Sequence, residues 1–177
     1  DTQGSITLSS FDPIRREVAR LTIEKLIKDG RIHPARIEEV AERVNKDIQN
    51  VIKKAGEEAA YEANVHNLNP KLIEMLGRLK YRTSYGQNVL THSIEVAKIA
   101  STMAAEIGAN VELAKRGGLL HDIGKVLVNE IETSHAIVGG EFIKKFGEKQ
   151  DVINAVMAHH NEVEFETVEA ILVQAAD

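Results

Sequence analysis

From Asp12-Pro13 onward the sequence is written almost wholly in helical periodicity, and this restricts its fold more than any other feature. Asp12 suits a helix N-cap and Pro13 the first helical position, and Ile14, Val18, Leu21, Leu26 and Ile27 carry an apolar face to a stop at Gly30. Before it, Ser5-Ile6-Thr7-Leu8-Ser9 alternates polar and apolar residues like a half-buried strand. No other convincing strand follows. A lone strand cannot satisfy its own backbone groups. Residues 1–30 are therefore expected to be the last strand and helix of an α/β domain that begins outside this sequence, an expectation with which a first residue of Asp agrees. The rest should be all-α.

A long helix is expected over residues 34–64, with Ile37, Ala41, Val44, Ile48, Val51 and Ala55 spaced 4-3-4-3-4 as a heptad seam. The seam is short and meets Glu58 and Glu62, which favours a helix lying on its own domain over a dimeric coil, although a homo-oligomer through this segment stays open. Asn69-Pro70 opens a shorter helix to about Lys80, and Tyr81–Gly86 reads as a polar turn. Further helices are expected at about 87–107, 111–120, 134–146, 149–160 and 167 to the end, separated by Gly108, Gly147 and the 161–166 stretch. The organisation is thus 1–30, a helical connector over 31–85, and a helical domain over 86–177. The last helix is still running at Asp177, so a cut at that end is expected too.

Composition narrows the chemistry. The 177 residues include seven His and no Cys, which removes disulfide and thiolate chemistry and leaves His and carboxylates to hold any metal. A net charge of −5 argues against a broadly basic nucleic-acid binder, though it says nothing of a local basic patch. No apolar run approaches the roughly 18 residues of a membrane helix.

His33 and His66 sit in loop-like sequence and read as surface residues, whereas the other five histidines fall within residues 92–160. His92 lies on the apolar stripe Val89, Val96, Ile99, Met103. His121-Asp122 ends an apolar helix, where an unpaired buried carboxylate would be very costly; with no Arg close in sequence, a metal is the economical partner. His135 opens the next helix, and His159-His160 closes the one after. Neighbouring helical residues point about 100° apart, so one member of that pair should face a metal, with His159 ranked first. Asp177 ends another apolar run. Imidazoles with carboxylates suit one or two divalent ions such as Mn, Fe, Zn or Mg.

The order His92, His121-Asp122, Asp177 resembles the HD-domain superfamily of metal-dependent phosphohydrolases, and His135 with His159 and His160 resembles its two-metal variant. The resemblance implies that His92, His121, Asp122 and Asp177 hold one ion, with Asp122 shared and His135 and His159 on a second; His160 is a ligand or a substrate contact. Phe11–Glu17, Asp29–Glu39, Leu79–Asn88 and Gly118–Lys125 more narrowly resemble the bacterial ribonuclease Y family. That likeness implies that 1–30 is the tail of a KH domain and 86–177 an HD domain. It also implies a preceding membrane helix and coiled coil absent from this sequence, which would anchor the intact protein to the cytoplasmic side of the membrane. The implied activity is endonucleolytic hydrolysis of single-stranded RNA that initiates mRNA decay, with other RNA-degradation proteins as partners. Water activated by metal would leave a 5′-phosphate and a 3′-hydroxyl, with Asp122 and Lys125 as catalytic residues. Lys125 would also meet a phosphate, and Arg78, Lys80, Arg82 and Tyr85, in a basic segment with interleaved tyrosines, would bind the strand. Two other readings remain: an HD enzyme acting on nucleotides or cyclic dinucleotides, and a scaffold or RNA-binding module with a structural metal.

Overall fold

In the computed structural model, residues 4–128 and 134–177 are described. The chain divides into two compact units, one running through Ile52 and the other from Lys53 to Asp177.

The first unit contains α1 (Pro13–Asp29) and the start of α2 (Pro34–Glu62). Asp12 accepts hydrogen bonds from the Ile14 and Arg15 amides, and Gly30 closes α1 in the left-handed conformation its sequence position suggests. Residues 5–10 form no strand, so the β element read over 5–9 is not made among the described residues. Its physical reason is the one already given: without a neighbouring strand, an isolated extended segment has no ladder to join. Two ion pairs, Lys25–Asp47 at 3.1 Å and Arg36–Asp29 at 2.7 Å, tie α1 to α2 within this unit.

Helix α2 buries a different stripe from the heptad seam. Its covered residues include Val40, Val44, Ile48, Ile52, Ala55 and Ala59, whereas Ile37 and Val51 are each 39% exposed. This 4-4-4-3-4 course lacks the regular alternation of threes and fours that keeps a supercoiled seam in line.

The second unit is built from the end of α2 and from α3 (Pro70–Arg78), α4 (Val89–Ile107), α5 (Val111–Leu120), α6 (His135–Lys144), α7 (Gln150–Ala158) and α8 (Val168–Ala176). Short 3-10 turns occupy Leu79–Tyr81 and Ile123–Val126. The all-α expectation is met apart from one hairpin inside the supposed polar turn, where β1 (Thr83–Ser84) pairs antiparallel with β2 (Gln87–Asn88). Tyr85 and Gly86 form its two-residue turn with φ of 49° and 82°, the doubly positive backbone that suits the right-handed twist of a hairpin. Helix α4 consequently starts at Val89, two residues later than read from the sequence.

The core of this unit includes Leu72, Leu76, Leu79, Leu119, Leu120, Ile123, Ile143 and Val156, all with negligible exposure. A second cluster joins Val96, Ala100 and Ala104 of α4 to Ala155 of α7 and Ala170 and Val173 of α8. Ile99, placed on the inward stripe by sequence spacing, lies largely outside the core. Arg116 on α5 donates to both oxygens of Glu148 at 2.6 Å and to the carbonyl of His66 at 2.7 Å, fixing the helix that ends at His121. Among the described residues no helix is long and apolar enough to cross a membrane.

Candidate metal centre

Five backbone termini deliver the site. Asn88 caps α4 through hydrogen bonds from the Leu90 and Thr91 amides, setting the first turn that carries His92. Helix α5 ends at Leu120, so His121 and Asp122 occupy the step into the 3-10 turn. Ser134 caps α6 beside His135, and its hydroxyl also hydrogen-bonds Glu162 in the turn after His160. Helix α7 ends at Ala158 and α8 at Ala176, leaving His159-His160 and Asp177 at the breaks.

Two glycines allow these termini to converge. A Cβ on Gly118 would lie 2.8 Å from the Ala97 Cα, so α5 crosses α4 almost backbone to backbone. A Cβ on Gly124 would lie 1.9 Å from the His135 carbonyl oxygen, so any side chain there would drive α6 away from the 3-10 turn.

The side chains gather into three overlapping groups. His92, His121 and Asp177 form one, His135, His159 and His160 another, and His121, Asp122 and His159 lie between them; within each group the ligand atoms are within 4.8 Å of one another. The structure therefore brings together all seven residues singled out as metal ligands. His33 and His66 stand apart and exposed, as read from the sequence. Both members of the His159-His160 pair face His135, with ring centroids 5.3 and 5.0 Å from it. The two rings lie side by side, with centroids 4.1 Å apart, so the expectation that only one of them faces the cluster is not met.

Hydrogen bonding fixes how the buried rings present themselves. His121 Nδ1 lies 2.7 Å from the Gly118 carbonyl and His159 Nδ1 2.6 Å from the Val156 carbonyl. A carbonyl only accepts, so each Nδ1 carries the hydrogen and each neutral ring offers an Nε2 lone pair to the site, the arrangement that orients metal-binding histidines. Among the described residues, His121 Nε2 and Asp122 Oδ1 are buried with no hydrogen-bond partner. Around them, His121 Nε2 lies 3.4 Å from Asp122 Oδ2 and 3.4 Å from Asp177 Oδ1, and His135 Nε2 lies 3.3 Å from Asp122 Oδ1. Nitrogen and oxygen donors converging on orphaned buried atoms fit a divalent cation.

The electrostatics agree with that fit. Burial pushes His121 down, but Asp122 and then Asp177 outweigh it and raise the imidazole to about 10. The spot thus demands positive charge, as a proton on Nε2 or as a cation facing it. Burial would raise Asp122, yet His121, His135 and Lys125 hold it far below the ordinary carboxylate range. The His121 ring likewise holds Asp177 low against the opposing effect of burial. Burial and the neighbouring His121 push His159 down to about 3, which keeps its Nε2 unprotonated at neutral pH, with His135 Nε2 3.2 Å away.

Lys125 corrects one sequence inference. Its Nζ donates to Asp122 Oδ2 at 2.8 Å, so the carboxylate does have a cation in sequence, three residues on, and only Oδ1 is left without a partner. That pairing was legible as an i, i+3 spacing. Ser134–Glu162, by contrast, joins residues 28 apart and carried no sequence signal.

A cavity of about 740 Å³ opens onto the centre, within the roughly 300–1,000 Å³ range of small-ligand sites. Asp122, Lys125, His92, His135, His160 and Asp177 line it together with Arg82 and with Thr83, Ser84, Tyr85 and Gln87 of the hairpin. Arg82 also donates to the Val128 carbonyl at 3.2 Å. Arg78 and Lys80, read from the sequence as strand-binding residues, are not among the cavity-lining residues described. Arg78 closes α3, and its Nε is buried.

The chain is 80% identical over all 177 residues to Ribonuclease Y of Fusobacterium nucleatum, 62% to Ribonuclease Y of Thermoanaerobacter pseudethanolicus and 57% to that of Acetivibrio thermocellus. It spans about a third of the length of these relatives, 35%, 35% and 34% respectively. No solved structure matches it. A family model described as HD domain matches residues 89–177, the stretch that contains all seven clustered side chains. The chain belongs to the HD domain family.

Proposed function

We propose that this chain carries the metal-dependent phosphodiesterase centre of an endoribonuclease, cutting single-stranded RNA internally and so initiating mRNA decay. The observation that carries this reading is the pair of buried imidazoles, His121 and His159. Their Nδ1 hydrogens are committed to backbone carbonyls, and His121 Nε2 and the neighbouring Asp122 Oδ1 are buried with no hydrogen-bond partner among the described residues. The name Ribonuclease Y borne by the relatives supplies the substrate class.

In this reading His92, His121 and Asp177 would hold one divalent ion and His135, His159 and His160 a second, with Asp122 beside His121 of the first group and His135 of the other. Such ions supply Lewis acidity toward phosphoryl oxygens and lower the pKa of water toward neutrality. The protein's own part is to keep the ligands in their binding forms. Lys125 holds Asp122 ionised, the two carbonyls hold His121 and His159 in one tautomer, and the closed packing behind them excludes water from that side. Hydrolysis forms a new P–O bond from water and breaks the P–O3′ bond, leaving a 5′-phosphate and a 3′-hydroxyl. No Ser or Cys nucleophile is required.

The test is cleavage of an end-labelled single-stranded RNA by metal-depleted protein, then after addition of Mn²⁺. Internal cuts bearing 5′-phosphates are expected on metal addition, and their loss in Asp122→Ala. Rapid hydrolysis of cyclic dinucleotides with the RNA left intact would assign the centre to a different phosphohydrolase. RNA binding without turnover of either substrate would make the metal structural.

A further inference from the structure

We infer that Tyr85, at the tip of the hairpin, is a stacking platform for an unpaired nucleobase of the strand whose phosphate lies at the histidine cluster, and that it selects single strands over duplexes. The inference rests on the ribonuclease reading above and names the residue that would recognise the substrate.

Three observations support it. First, the Tyr85 ring lies wholly in solvent, so no packing role accounts for an aromatic there. Second, its backbone is left-handed at φ 49°, a conformation that Asn or Gly takes readily and an aromatic residue does not. An exposed aromatic held at an unfavourable backbone position contributes nothing to the hairpin's own stability. Third, Tyr85 lines the same cavity as His92, His135 and His160.

The hairpin is also indexed to the metal centre. Asn88 donates through Nδ2 to the Lys80 carbonyl at 2.7 Å at the hairpin base, while its Oδ1 caps the helix that bears His92. The Val89 amide donates to the Arg82 carbonyl at 3.1 Å. The platform and the first metal-facing histidine are thus held by one residue and its neighbour.

Charge distribution sets the polarity of binding. Among the described residues that line the cavity, the carboxylates Asp122 and Asp177 belong to the histidine cluster, and the hairpin brings Arg82 with Thr83, Ser84 and Gln87. Among the described lining residues, a phosphodiester approaching along the hairpin meets no carboxylate before it reaches the histidine cluster. Its neighbouring base can lie against the Tyr85 ring only if it is free of a pairing partner. Stacking on one exposed aromatic tolerates any base, so the recognised class is single-stranded RNA without strict sequence preference.

The experiment compares wild-type protein, Tyr85→Phe and Tyr85→Asn, all loaded with Mn²⁺. The probes are a short single-stranded RNA carrying 2-aminopurine next to each phosphate in turn, and an abasic strand of equal length. Asn suits the left-handed turn, so Tyr85→Asn keeps the hairpin and removes only the ring. Expected results are quenching of 2-aminopurine at one position in wild type and Tyr85→Phe, and loss of that quenching in Tyr85→Asn. Binding of the base-bearing strand should weaken by about tenfold, the scale of one base–aromatic stack. The abasic strand should bind all three proteins equally. Unchanged binding of the base-bearing strand by Tyr85→Asn, or an equal loss for the abasic strand, overturns the platform. Cleavage measured in parallel separates the two readings. Intact cutting with no Tyr85 effect removes the platform and leaves the ribonuclease, whereas position-specific quenching without cutting keeps the platform and removes the ribonuclease. A wild type that binds neither strand removes both.

Discussion

The floor and the rim of the centre are built by different means. On the floor, His121, Asp122 and His159 are buried almost completely, and each is held by a bond to a residue three positions away: Gly118, Lys125 and Val156. On the rim, His92, His135, His160 and Asp177 retain exposure and are held across the fold, as in the 2.7 Å contact between His92 Nε2 and Asp177. The floor is therefore set by local chain geometry and the rim by how the helices pack. Damage to the floor should abolish the chemistry, whereas damage to the packing should misplace the rim while leaving the floor intact.

The largest effect should come from Asp122→Asn, which keeps the shape and removes the negative charge that lies beside His121 and His135. Turnover of RNA is expected to fall by roughly 10³-fold or more, the scale on which removing a preorganised electrostatic group acts. Lys125 and His121 are left facing a neutral amide, and losing one partner of a buried charged pair costs about 3 kcal/mol. Kinetics and a urea melt on one preparation measure both. Retention of turnover within tenfold of wild type would remove Asp122 from the chemistry.

Gly124→Ala tests the rim. The new methyl would meet the His135 carbonyl, so the start of α6 must move, at a cost of about 1–3 kcal/mol for overpacking. A displacement of about 1 Å in a reacting group lowers rate by roughly 100-fold. Turnover should fall on that scale while the floor, probed by exchange protection of the His121 and His159 amides, stays as in wild type. Equal loss of protection on the floor would mean that the two regions are not separable.

The same division decides what the sequence made legible. Floor residues were readable because His121-Asp122 and His159 stand at the ends of apolar helices, and a local break in periodicity is visible in one dimension. The helices were readable to within about two residues at most ends, because N-caps such as Asp12, Asn69 and Asn110 and C-caps such as Gly30 and Gly108 are local signals. Rim geometry was not readable. That His160 joins His135 depends on where α7 stops, and that Ser134 reaches Glu162 depends on packing. The heptad seam on α2, buried at Val44, Ile48 and Ala55 but not at Ile37 or Val51, held only in part for a related reason. Apolar residues at positions 37 and 51 match a spacing rule, but which residues are covered depends on what lies beside the helix.

A smaller effect separates a proton from a metal at the floor. His121 is raised from 6.5 to about 10, so in chelated protein its protonated form adds stability that is fully present below pH 6.5 and is lost as pH rises toward 10. Saturating Mn²⁺ requires the neutral ring, so the loaded protein should show no such decline. The gap between the thermal midpoints of loaded and chelated protein should therefore widen from pH 6.5 to 9.5. A widening of about 5 °C corresponds to 1–2 kcal/mol in a chain of this size. Midpoints that coincide throughout, with metal present in excess, would argue against a formed site.

The smallest effect has the opposite sign from the others. At Tyr85 the rim carries a residue ill suited to its backbone, and replacing it with Asn should relieve the left-handed strain and raise stability by about 0.5–1 kcal/mol. On the floor every substitution should lose stability together with function, because the same bonds orient the ligands and hold the fold. At the hairpin tip the two should separate: a firmer turn and a weaker grip on base-bearing RNA. A urea melt of Tyr85→Asn beside its strand-binding curve checks this directly. If stability falls instead, the ring contributes to the fold and the hairpin belongs with the floor; if stability rises with binding unchanged, the strain is present but serves no recognition.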